Sequence, residues 1–80
     1  MTARAELVDW VYEAVKENGG TATIVQVASH IWKNHESDLK RSGDLFYTWQ
    51  YDMRWAAQRL RDTGKFKPKN LSNRREWEIL

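Results

Sequence analysis

Arg54 and Gln58 lie four residues apart within "YTWQYDMRWAAQRLRD", residues 47–62. At 100° per residue, Tyr47, Tyr51 and Arg61 fall on the same side of a helix. A guanidinium offers a bidentate fork to the O6 and N7 edge of guanine, and a glutamine amide fits N6 and N7 of adenine. Tyrosine hydroxyls and further arginines suit phosphate and sugar, which position a protein on a duplex without specifying sequence. The chemistry on offer is recognition of double-stranded DNA. Arg54 and Gln58 are the candidates for base edges, and Tyr47, Tyr51 and Arg61 for the backbone. Lys67, Lys69, Arg74 and Arg75 continue the basic character toward phosphates or a neighbouring minor groove. The plain alternative is an ordinary solvated helix face.

Other chemistries find no support. The two histidines, His30 and His35, are five residues apart rather than the four that stack two metal ligands on one helix face. They are expected to be surface histidines, with no metal. No Ser-His-acid set, phosphate-cradling glycine loop or cleft-forming carboxylate pair is visible, so neither enzyme activity nor a cofactor is expected.

Composition sets the frame. Eighty residues make one domain, spanning 1–80. Without cysteine there is no disulfide or thiolate metal site, which suits a reducing, cytoplasmic setting. No apolar run approaches a membrane span, and the N-terminus lacks a secretion signal. The net charge of +2 hides an asymmetry. Residues 1–53 carry five basic and eight acidic residues, a net of −3; residues 54–80 carry eight and three, a net of +5. A basic end of this kind points toward a polyanion, or is a solvated face that happens to be basic.

The elements that must position these residues follow from periodicity. Thr2 can cap a first helix over about Ala3–Glu17, with Leu7, Val11, Ala14 and Val15 at helical spacing and Trp10 at the stripe's edge. Asn18-Gly19-Gly20 stops it. Thr21-Ala22 is long enough only for a bridging strand. Thr23-Ile24-Val25-Gln26 has the form of a capping box opening a second helix to about Asn34, with Val25 and Trp32 flanking its apolar stripe. "HESDLKRSGD" is expected to be a long connection, with room for one helical turn carrying Leu39 inward.

A third helix starts at Asp44 or Thr48 and runs to about Asp62, with Gly64 as terminator. Phe46, Trp49, Met53, Ala56, Ala57 and Leu60 form its inner face. Trp49 and Trp77 have the phase to seal the interior, and Trp55 is expected to pack at the edge. Lys65-Phe66-Lys67 and Glu76-Trp77-Glu78-Ile79 alternate with a period of two and suggest a hairpin, with Pro68 at a strand end. Helix, short strand, helix, helix, strand, wing, strand is the order of a winged helix-turn-helix: mainly α with a small β-hairpin.

The run from Trp49 through Met53-Arg54-Trp55-Ala56-Ala57-Gln58-Arg59-Leu60 to Gly64, with a basic hairpin closing on Trp77, resembles the N-terminal winged-helix domain of Mrr-type restriction proteins. The likeness covers nearly the whole chain, including the Gly-Gly break and the capped second helix. Arg75-Glu76 stands where the family has a glycine before the closing Trp. In that family the domain precedes a nuclease domain and is taken to bind DNA; 80 residues hold no nuclease domain. The resemblance implies DNA binding through Arg54 and the basic hairpin. Two other expectations remain open: a protein-interaction module using Tyr47, Tyr51 and Trp55 as aromatic anchors, and an accessory or homodimerisation module.

Overall fold

In the computed structural model, which describes residues 5–67 and 76–79, the chain is mainly helical with a small two-stranded antiparallel sheet. Helix α1 is Glu6–Glu17, strand β1 is Thr21–Thr23, helix α2 is Ile24–Lys40, helix α3 is Leu45–Asp62 and strand β2 is Glu76–Glu78. No helix among the described residues is long and apolar enough to cross a membrane.

The first helix starts later than its periodicity predicts. Glu6 opens it, Ala5 precedes it without a side-chain cap, and Thr2 and Ala3 lie outside the described residues. Its end follows the sequence closely. Gly19 and Gly20 both take positive φ, 86° and 95°. The Gly20 amide donates to Val15 O at 2.9 Å and the Gly19 amide to Lys16 O at 3.2 Å, the paired bonds of a Schellman motif. Only glycine takes this left-handed turn without steric cost.

The capping box forms as read. The Gln26 amide donates to Thr23 Oγ1 at 3.2 Å, and the Thr23 amide donates to Gln26 Oε1 at 2.9 Å. Asn18 Nδ2 donates to Thr21 O at 2.8 Å and to Gln26 Oε1 at 3.3 Å, tying the end of α1 to the start of α2.

The connection expected over "HESDLKRSGD" is corrected. The chain stays helical to Lys40 through a kink at His35, where φ is −129° and ψ is 19°. Asn34 Nδ2 donates to His30 O at 2.8 Å, taking up a carbonyl of the helix ladder, which accounts for the bend. At the kink, the His35 ring stacks on Trp10 with centroids 4.0 Å apart and planes 8° from parallel. Leu39 then enters the core, fully buried. The turn closes with Ser42 Oγ donating to Leu39 O at 2.6 Å.

Helix α3 ends in a second Schellman pair, Lys65 N to Leu60 O at 2.9 Å and Gly64 N to Arg61 O at 3.1 Å, with Gly64 at φ 80°. Its buried face is Leu45, Trp49, Met53, Ala56, Ala57 and Leu60. Leu45 takes the place expected of Phe46, which is only half-buried.

Of the expected hairpin, the described residues show one bridge on its first side. Phe66 pairs with Ile79, and the Lys67 amide donates to Glu78 O at 2.8 Å. The ladder proper is β1 with β2: Thr21 opposite Glu78, Ala22 opposite Trp77 and Thr23 opposite Glu76. Residues 68–75, with Pro68, lie outside the described residues. Trp77 and Ala22 are buried and Phe66 is 1% exposed, so the sheet's inner face closes a core shared by all three helices.

Leu39 is the one buried side chain of the segment past the kink. Leu39→Ala is expected to cost on the order of 2–5 kcal/mol through lost burial and a cavity. Urea denaturation measures it; an unchanged midpoint would mean that the extension of α2 contributes nothing to the fold.

Candidate nucleic-acid interface

Burial of Trp49, Met53 and Leu60 fixes the rotation of α3 about its axis, and that rotation decides what its other side presents. Tyr47 is 84% and Tyr51 78% exposed, and Arg54 and Gln58 are also exposed. The four form one outward row. No carboxylate of the described residues pairs with Arg54. Gln58 Nε2 donates to Asp62 Oδ1 at 3.0 Å, which orients its amide along the helix. Thr48 Oγ1 donates to Asp52 Oδ2 at 2.8 Å beside the row.

The remaining expected contacts divide differently. Arg61 is half-buried, and its Nε is shielded from water without a hydrogen-bond partner. It lies 100° past Leu60, at the edge of the inner face rather than within the outer row. Lys67 Nζ sits 3.1 Å from Glu78 Oε2 across the bridge, so its charge is engaged within the sheet. Lys69, Arg74 and Arg75 lie outside the described residues. Two cations that the sequence reading left aside rest on rings: Arg59 lies 6.0 Å from the Trp55 centroid and Lys65 5.7 Å from that of Tyr12. Trp55 is half-buried and packs against the core, as expected of an edge residue.

A second feature lies beside the row. Val25 and Trp32 of α2, 77% and 36% exposed, face Phe46, Trp49 and Gln50 of α3 across a groove of about 520 Å³. Trp32 and Trp49 are near-parallel at 6.1 Å. A second hollow, lined by Ile24, Val25, Ala28, Tyr51, Met53 and Arg54, carries this apolar surface up to the outer row. The sequence showed Val25 and Trp32 flanking the stripe of α2. Their junction with α3 required the crossing of the two helices.

Glu13 and Glu17 of α1 and His30 of α2 bring one ligand atom each within 4.8 Å of the others, the one such group of acids and histidine among the described residues. Compared with known proteins, the chain matches no family model, no curated protein and no solved structure.

The outer row is separable from the core. Tyr47→Ser and Tyr51→Ser are each expected to change stability by no more than about 0.5 kcal/mol, the usual range for surface substitutions. Trp49→Ala, on the opposite side of the same helix, should cost roughly 3–5 kcal/mol. Thermal or urea melting of the three variants checks this; a large loss from either tyrosine would place it in the core.

Proposed function

We propose that the chain is a winged-helix module that binds double-stranded DNA, with α3 in the major groove. The observation that carries this reading is the exposed row on α3, in which Arg54 stands between Tyr51 and Gln58 without an ion-pair partner among the described residues. A major groove admits a helix, and a free guanidinium is the side chain best matched to a guanine edge. The order of elements supports the reading: helix, strand, helix, helix, then Phe66 and β2 paired on one side with each other and, through β2, with β1. The likeness to the N-terminal domain of Mrr-type restriction proteins belongs to the same proposal.

Within this reading Arg54 and Gln58 meet base edges, and Tyr47 and Tyr51 meet sugar and phosphate. Arg61 is half-buried at the edge of α3, which leaves it a lesser share in the contact. Lys67 fixes the base of the wing through Glu78. The net charge of +5 over residues 54–80 supplies the attraction, with Lys69, Arg74 and Arg75 as phosphate contacts. This reading assigns no residue a catalytic role.

One observation favours a second reading. The groove between α2 and α3, bordered by exposed Val25, Trp32 and Tyr51, is the kind of surface that anchors a protein partner. The two readings part on salt and on Arg54.

Fluorescence anisotropy with a labelled duplex of mixed sequence separates them. Three to five phosphate contacts, at about −0.9 each, give a slope of log K against log salt of roughly −3 to −4.5. Arg54→Ala should cost roughly 1–3 kcal/mol on a preferred site and less elsewhere. Trp32→Ala should leave DNA affinity unchanged. Binding that ignores both salt and Arg54, or that is lost with Trp32, would overturn the DNA reading in favour of a protein partner.

A further inference from the structure

Gln50 is exposed on α3 one turn before Arg54, and it lines both hollows between α2 and α3. On the helix it stands about 40° to one side of Arg54, toward the buried Met53, and Gln58 stands about 40° to the other. The Gln50 amide makes no hydrogen bond among the described residues, whereas that of Gln58 is tied to Asp62 Oδ1 at 3.0 Å. Val25 projects from α2 into the same place, 77% exposed, and with Ile24 and Ala28 forms the wall of the hollow that reaches Arg54. Arg54 is the one charged residue lining either hollow. A free amide and an exposed apolar wall therefore adjoin the guanidinium that the DNA reading assigns to guanine.

Among the four ordinary base pairs, the major groove offers one apolar group, the C5 methyl of thymine. It offers one edge that suits a glutamine amide bidentately, N6 and N7 of adenine. Both belong to the same A·T pair. Gln50 Nε2 can donate to N7 while Oε1 accepts from the N6 amino group, and the methyl of the paired thymine then has Val25 and Ala28 to meet. Four residues of helix rise about 6 Å. Base pairs are about 3.4 Å apart, so the pair read by Gln50 lies one or two steps from the guanine read by Arg54.

We propose that Gln50 and Val25 together read an A·T pair beside the guanine contacted by Arg54. The inference rests on the DNA reading of α3 and extends it, because α2 then takes part in base recognition through its exposed valine. Trp32 and Phe46 line only the groove away from Arg54 and have no part in this contact. Val25 acquires its role where α2 crosses α3, which periodicity within either helix does not report.

The test is fluorescence anisotropy of the full chain with three labelled duplexes of one sequence, in which every guanine has A·T pairs one and two steps away on both sides. One duplex is unmodified. One carries deoxyuridine for thymidine and lacks the C5 methyl, and one carries 7-deaza-deoxyadenosine and lacks N7. Deoxyuridine should weaken binding about fourfold, which at about 1.4 kcal/mol per tenfold is the worth of one buried methyl group. The 7-deaza base should weaken it about fivefold or more, the lower end for a bidentate base contact. Val25→Ser should abolish only the first difference and Gln50→Ala only the second. Both residues are exposed, and melting curves check that both variants remain folded. Equal affinity for the three duplexes, with Arg54→Ala still costly, would overturn the inference and leave the DNA reading standing. Differences that survive in the two variants would overturn it as well. Binding to none of the three would overturn both.

Discussion

The fold depends on a strand returning across most of the chain. Glu76–Glu78 must reach Thr21–Thr23, and the contact is made several ways at once. The Ile79 amide donates to Gly20 O at 2.8 Å, and Thr21 Oγ1 donates to Glu76 Oε2 at 2.6 Å. Trp77 comes down opposite Ala22 into the core. Closing a loop of about 55 residues costs roughly 3.5 kcal/mol of chain entropy on the logarithmic estimate. Burying a tryptophan, about 150–250 Å² at about 25 cal/mol per Å², contributes roughly 4–6 kcal/mol. The two are comparable, so β2 holds because Trp77 is under it. The Gly19-Gly20 turn sets the direction from which β1 meets it.

That closure orients α3. With α1 packed on one flank and α2 on another, the apolar side of α3 has one place to go, and Tyr47, Tyr51, Arg54 and Gln58 are turned outward. The basic end is less open than its charge suggests. Lys67 is held by Glu78, Arg59 rests on Trp55, Lys65 on Tyr12, and Arg61 is half-buried. Surface ion pairs of this kind contribute little to stability, but they do take charge away from a ligand. This raises the weight that Arg54 carries in any contact with a polyanion.

Much of the architecture was legible where side-chain chemistry and backbone demand coincide. Thr23 and Gln26 form the capping box because they stand at the N-cap and N3 positions of α2. The glycines at 19, 20 and 64 sit where positive φ is needed. Trp49 and Trp77 fell on the buried phase of their elements. The misses have equally local causes. "HESDLK" has one apolar residue, so no period betrays its helix; Leu39 and the stacking of His35 on Trp10 hold it through tertiary contact. Leu45 and Phe46 differ by one step at a helix start, where phase is weakest. Arg61 belongs to an edge that a wheel drawn without neighbours assigns to solvent. The α2–α3 groove and the Glu13–Glu17–His30 cluster join separate helices, and periodicity within one helix does not report on either.

The most direct measurement is an NMR titration of the isotope-labelled chain with a mixed-sequence duplex. DNA binding through α3 predicts progressive shifts at Tyr47, Tyr51, Arg54 and Gln58, with the amides of Glu13 and Glu17 on α1 unmoved. Shifts absent at millimolar duplex, or confined to Val25, Trp32 and Phe46 around the groove, would contradict it.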